Sequence, residues 1–136
     1  MRLITRSDFD GLACGALLLA AKVVDSWMFA HPKDIQDGLV PVTENDVLAN
    51  VPFAPGCGLW FDHHSSEEER LKIKGHYKGE SRISPSAARI IYEYYGGKER
   101  FPNFYDLMLA VDKVYSRHLT PEKILNAKGL LIIGFF

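Results

Sequence analysis

The stretch RLITRSDFDGLACGALLLAAKV, Arg2 to Val23, runs from a short apolar segment through a few polar residues directly into an Ala- and Leu-rich segment. Arg2 to Thr5 reads as a strand, and Gly11 to Val23 as a helix whose first turn begins near Asp10. Strand, polar turn and helix follow one another with no linker between them. Ser26 to His31 then makes a second strand, and Pro32 opens a polar connection through Lys33, Asp34, Gln36 and Asp37 that Gly38 closes.

The alternation continues down the chain. Val47 to Val51 and Leu59 to Asp62 are two more short apolar runs, separated by the turn-rich PFAPGCG, Pro52 to Gly58. Two overlapping capping boxes in SSEEER, Ser65 with Glu68 and Ser66 with Glu69, predict a helix start. A further helix is predicted from Ser84 as N-cap and Pro85 in the first turn. Its apolar stripe is Ala87, Ala88, Ile91, Tyr94 and Tyr95, ended by Gly96 and Gly97. Pro102 and Asn103 start the last helix, with Leu107, Met108, Val111, Val114 and Tyr115 on its buried face. Short apolar runs alternating with helices imply a parallel sheet covered on both faces. The expected fold is α/β, a doubly wound parallel sheet flanked by helices, in one domain over residues 1–136.

Composition narrows the functional classes. At 47% hydrophobic and 24% charged residues the chain can bury a modest core, and a formal net charge of -1 gives no global attraction to nucleic acid or membrane. An anion site must therefore be local. Two cysteines, Cys14 and Cys57, suit a reducing compartment better than a disulfide scaffold. The polar N-terminus is no signal peptide, and the longest apolar stretch, GLLIIGFF, is far shorter than the roughly 20 residues of a membrane span. The expectation is a cytoplasmic protein without a membrane segment.

Chemistry concentrates where strands end. In an open parallel sheet, ligands sit beyond the carboxyl ends of the strands. Asp8 and Asp10 follow the first strand, and Asp62, His63 and His64 follow the fourth. In an extended segment Asp8 and Asp10 project to one side and could hold one or two cations, with Gly11 permitting a tight entry into the helix. An N-cap role accounts well for Asp10 and leaves Asp8 without a task. His63 and His64 are neighbours, so both rings face one cleft only where the strand has ended and turned. Alone, either histidine reads as a surface or satisfied core residue, whereas D-H-H on one strand end with D-x-D on another reads as a site. Mixed carboxylate and imidazole donors favour a divalent metal such as manganese over magnesium, with zinc and iron as alternatives.

RSDFDGLACGALL and GLWFDHHSS resemble motifs of the DHH phosphoesterases, a RecJ-like superfamily, and most of all its exopolyphosphatase-related group. The resemblance runs from Arg2 to about Asn126 and implies a metal-dependent hydrolase of phosphoester or phosphoanhydride bonds. It assigns Asp8, Asp10, His63 and Asp62 to the metals, with Asn50 and Asp112 at positions where the family supplies further aspartates. Asp62, His64 and Arg6 are the implied catalytic set, and His64, Arg6 and Ser86 the implied substrate contacts. Manganese is the implied cofactor, with magnesium as the alternative. A phosphate-containing small molecule or an oligonucleotide is the implied partner.

Departures from the family pattern are equally concrete. Arg6 stands where a metal-binding histidine often lies, and it is a phosphate partner but no ligand. Asn50 stands where a bridging aspartate is expected, and a neutral amide does not balance two dications. Asp46 begins the same strand, at the opposite end. Tyr115 occupies a place where a second acid is expected. The chain is expected to lack the family's C-terminal substrate-binding domain. Its apolar tail, Leu130 to Phe136, marks either a missing continuation or a homo-oligomer interface. The alternative to an enzyme is a catalytically degenerate module that binds metal, phosphate or nucleotide.

Overall fold

The computed structural model describes residues 1–64, Glu69, Lys72, Ile73 and 77–115. Among them five strands form one wholly parallel sheet: β1 (Arg2–Thr5), β2 (Ser26–Phe29), β3 (Asp46–Ala49), β4 (Leu59–Asp62) and β5 (Gly79–Ser81). Their order is β2-β1-β3-β4-β5. The helices are α1 (Phe9–Ala20), α2 (Pro32–Gln36), α3 (Ala87–Tyr94) and α4 (Tyr105–Tyr115), with a 3₁₀ turn at Gly97–Glu99. This is the doubly wound α/β fold that the alternating apolar runs imply.

Successive strand residues point to opposite faces, so each short strand feeds two cores. Leu3, Val47, Ala49 and Phe61 pack with Leu17 of α1, Ile90 and Ile91 of α3, and Met108 and Val111 of α4. On the other face Ile4, Leu48 and Trp60 pack with Ile35 of α2 and with Val51. Burial on both faces is why β1, β3 and β4 read as nearly continuous apolar runs. Among the described residues no helix is long and apolar enough to cross a membrane.

The strand order reverses between β1 and β3, since β1 has β2 on one side and β3 on the other. That is the switch point of the sheet, and a crevice forms beyond the carboxyl ends of the strands there. At the amino ends, Arg2 Nε donates to Asp46 Oδ1 at 2.9 Å, and Thr43 N–H donates to Asp46 Oδ2 at 2.8 Å. Asp46 is thus satisfied at the pole opposite the crevice.

Several boundaries differ from the sequence expectation, each for a local reason. The second strand stops at Phe29, and the polar connection after it is a short helix, α2, capped by His31 Nδ1, which accepts from Lys33 N–H at 3.1 Å. β5 was not expected: its sequence, GES, is polar and short, and its pairing with β4 alone makes it a strand. α3 is capped by Ser86 instead of Ser84. The helix predicted from the Ser65 and Ser66 capping boxes, the basic residues Arg70 and Lys74, and the apolar tail Leu130 to Phe136 lie outside the described residues.

Candidate active site

Asp8 ends the polar turn after β1 in extended backbone, φ -118° and ψ 179°, and caps α1: its Oδ1 accepts from Gly11 N–H at 2.8 Å. The turn is tight because α1 begins directly over the Arg6 carbonyl. A Cβ on Gly11 would lie 1.9 Å from the Arg6 oxygen, so only glycine fits there. Across the switch point, Asn50 follows β3 with φ 61°, a left-handed conformation that asparagine tolerates better than most residues. Its Nδ2 donates to Asp8 Oδ1 at 3.0 Å and lies 3.3 Å from Oδ2. Asn50 is 1% exposed, and its Oδ1 has no hydrogen-bond partner among the described residues. Arg6 lies beside the same carboxylate, with Nε 3.7 Å from Asp8 Oδ2.

Asp10 has a different setting. It already belongs to α1, is 1% exposed, and receives both N–H groups at the start of α3: Ala87 N–H to Oδ2 and Ala88 N–H to Oδ1, each at 2.9 Å. Its own N–H donates to the Tyr115 hydroxyl at 3.0 Å, which ties α1 to α4. The N-cap is therefore Asp8, and Asp10 joins three helices, the reverse of the assignment that sequence spacing favoured. Burial, which outweighs the Asp10 contact, pushes the Tyr115 hydroxyl up to about 12. Burial first, and then the Asp10 charge, raises the Cys14 thiol, 3.7 Å from Asp10 Oδ1, well above its ordinary value.

β4 ends at Asp62 and the chain bends at His63, which brings both histidine rings to one side. Their centroids are 3.9 Å apart. His63 Nδ1 lies 3.2 Å from the Ser84 carbonyl oxygen, and its Nε2 lies 3.4 Å from Asp10 Oδ2. Burial disfavours its charged form, but the Asp10 hydrogen bond and charge, with Asp62 and the Ser84 carbonyl, outweigh burial and raise the pKa above the ordinary 6.5. His64 Nδ1 lies 2.9 Å from Oδ1 of Asp62, a carboxylate only 2% exposed, while the His64 side chain is 49% exposed. In each ring a carbonyl or carboxylate holds Nδ1; Nε2 of His64 is left to face a ligand, whereas Nε2 of His63 faces Asp10.

Two expected site residues are engaged elsewhere. Asp112 of α4 is taken up by the Arg89 guanidinium of α3 through both carboxylate oxygens. Ser86 is fully buried and accepts from Arg89 N–H at 3.0 Å, so its hydroxyl is spent on capping α3. Ser84, expected as a helix N-cap, instead meets His63 through its carbonyl, and its buried hydroxyl has no partner among the described residues. No sequence pattern points to it, because the contact depends on β5 bringing Ser84 beside the end of β4.

Asp8, Asn50, Asp62, His63, His64 and Arg6 thus gather beyond the ends of β1, β3 and β4. A cleft of about 550 Å³ opens there, lined by Arg6, Asn50, Asp62 and His64 on its polar side. Among the described residues no three His, Cys, Asp or Glu side chains converge closely enough to enclose a cation as they stand. The chemistry of the donors nevertheless suits one: carboxylate oxygens, two imidazoles oriented through Nδ1, and the buried, unpartnered Asn50 Oδ1.

No family model matches the chain, and no curated protein matches it. Among solved structures it is similar to the pGpG-specific phosphodiesterase PggH from Vibrio cholerae, with 42% sequence identity and a TM-score of 0.77. The likeness covers 91% of this chain and 40% of that one, so the chain spans about two fifths of that neighbour's length.

Proposed function

We propose that this chain is a phosphodiesterase domain of the DHH phosphoesterase type, which hydrolyses a nucleotide or short oligonucleotide with the help of a divalent cation, manganese before magnesium. The observation that carries the reading is the meeting of the Asp8 turn, Asn50 and the Asp62-His63-His64 strand end beyond the strand ends at the sheet's switch point, where Arg6, Asn50, Asp62 and His64 line one cleft. Likeness to a pGpG-specific phosphodiesterase over 91% of the chain supports a phosphodiester as the bond attacked.

Asp8, Asp10, His63 and Asp62 would hold the cation, with Asn50 Oδ1 as a neutral oxygen donor. A bound divalent cation supplies a lowered pKa for an attacking water and offsets charge on the attacked phosphate. Asp112 is kept out of this set by its pairing with Arg89. Arg6 presents a half-exposed guanidinium to the cleft, suited to phosphate oxygens. Asp62 holds His64 Nδ1 and fixes the ring, so His64 Nε2 is the atom that would meet the substrate phosphate in the cleft. Asp62 acts through His64 and is in that respect a positioning residue.

One observation favours a second reading, a module that binds nucleotide without turnover. Asn50 takes up Asp8, and both oxygens of Asp10 are already bonded to α3, so less carboxylate is free for a cation than in a site with a bridging aspartate. Incubating the protein with pGpG, cyclic dinucleotides, inorganic polyphosphate and pyrophosphate in manganese separates the two. Release of mononucleotide supports the enzyme, and saturable binding of pGpG without release supports the module.

A further inference from the structure

The polar cluster makes up only part of the lining of the 550 Å³ cleft. The remaining lining combines the segment Val51, Pro52 and Phe53, which directly follows Asn50, and Ile73 with Gln36, Glu69 and Lys72. Phe53 is held in place from behind. Its ring meets Trp60 edge-on at 5.3 Å and Tyr77 at 6.1 Å, and Trp60 is itself locked by donating Nε1–H to the Val51 carbonyl at 2.9 Å. A partly exposed aromatic ring, packed against Trp60 and Tyr77, thus lines the same cleft as Arg6 and His64.

The geometry points to a nucleobase subsite on Phe53, flanked by Val51, Pro52 and Ile73, for the base of a nucleotide whose phosphate lies at Arg6 and His64. The inference rests on the phosphate reading of the polar side and extends it to the part of the substrate that is not phosphate. Three features argue for a base over another apolar group. A cleft of this volume falls in the range of about 300–1,000 Å³ that small-molecule sites occupy, far more than inorganic phosphate or pyrophosphate fills. The partly exposed Phe53 ring offers an aromatic surface on which any base can stack. And the chain runs from Asn50 to Phe53 within three residues, which couples the base wall to the polar cluster through one short loop. Phe53 is a specificity residue on this account, and inorganic polyphosphate is a poor ligand.

Affinities of GMP and ribose 5-phosphate, which share the phosphate and sugar and differ in the base, test it by titration calorimetry in manganese. The native protein is expected to bind GMP about tenfold more tightly than ribose 5-phosphate, the size of one base–aromatic stack. Phe53→Leu, which keeps the apolar contact with Trp60, is expected to remove most of that preference and leave ribose 5-phosphate affinity unchanged. Phe53→Ala gives the same collapse in a protein checked for its melting transition. Equal binding of the two ligands by the native protein overturns the base subsite and leaves the phosphate reading standing, as does a preference that survives in Phe53→Leu. Failure of the native protein to bind either ligand overturns the phosphate reading, and the base subsite with it.

Discussion

Asp8 and Asp10 are separated by one residue, yet they serve opposite regions of the molecule. Asp8 stands at the strand ends beside the cleft: it caps α1 through Gly11, meets Asn50 across the switch point and lies next to Arg6. Asp10 faces the seam between helices, where it receives the two N–H groups that open α3, while its own N–H reaches Tyr115 of α4. The difference shows how a paired-carboxylate motif divides its labour. One acid is partly exposed at the end of β1, and the other, buried, also fixes the helices that hold the candidate site, with His63 linking the two regions through its 3.4 Å approach to Asp10.

The largest effect expected from this division is on folding. Asp10→Ala leaves the Ala87 and Ala88 N–H groups buried without acceptors, and at roughly 1–3 kcal/mol for each unsatisfied group the loss is about 2–6 kcal/mol. Asp8→Ala removes only an N-cap and a partly exposed contact, for roughly 0.5–2 kcal/mol. Urea unfolding of both variants measures the contrast, and equal losses would break it.

Asn50→Asp sharpens the cleft side. The change sets a second carboxylate against Asp8, so the metal-free protein should melt lower, while manganese should bind about tenfold more tightly because the added charge attracts it. Thermal melts with and without manganese read both signs at once. An unchanged manganese-induced shift in a folded variant removes Asn50 from the cation site and leaves it a left-handed turn residue.

The smallest effect belongs to the seam. Tyr115→Phe keeps the ring beside Phe9, 6.5 Å between centroids, and deletes only the acceptor for the Asp10 N–H. About 1 kcal/mol of stability should be lost, with nucleotide binding in the cleft unaffected. A loss of binding that matches Asp8→Ala would mean that Tyr115 belongs to the cleft after all.

The same contrast explains what was legible in the sequence. β1, β3 and β4 stood out because both of their faces are buried, and Asp8, Asp62, His63 and His64 stood out because polar residues that close such runs have little else to do. The role of Asp10 was hidden, since its partners Ala87 and Ala88 lie 77 and 78 positions away and contribute only backbone N–H groups. The start of α3 was misjudged for the same reason. Ser84 and Pro85 form a good local helix signal, but the start is set at Ser86, where Asp10 meets the first turn. β5 was missed because an edge strand of Gly, Glu and Ser has no apolar pattern to read. Asp112 was a helix acid whose partner, Arg89, no spacing rule between two helices could name.

The account stands most directly on whether the cleft acts on a phosphodiester. Chromatography of pGpG incubated with the protein in manganese, alongside Asp8→Ala shown to be folded, decides it. The account predicts mononucleotide from the native protein and a rate at least about a hundredfold lower in Asp8→Ala, since Asp8 is proposed to hold the cation. No mononucleotide from the folded native protein in manganese or magnesium, or equal rates in the two proteins, would contradict it.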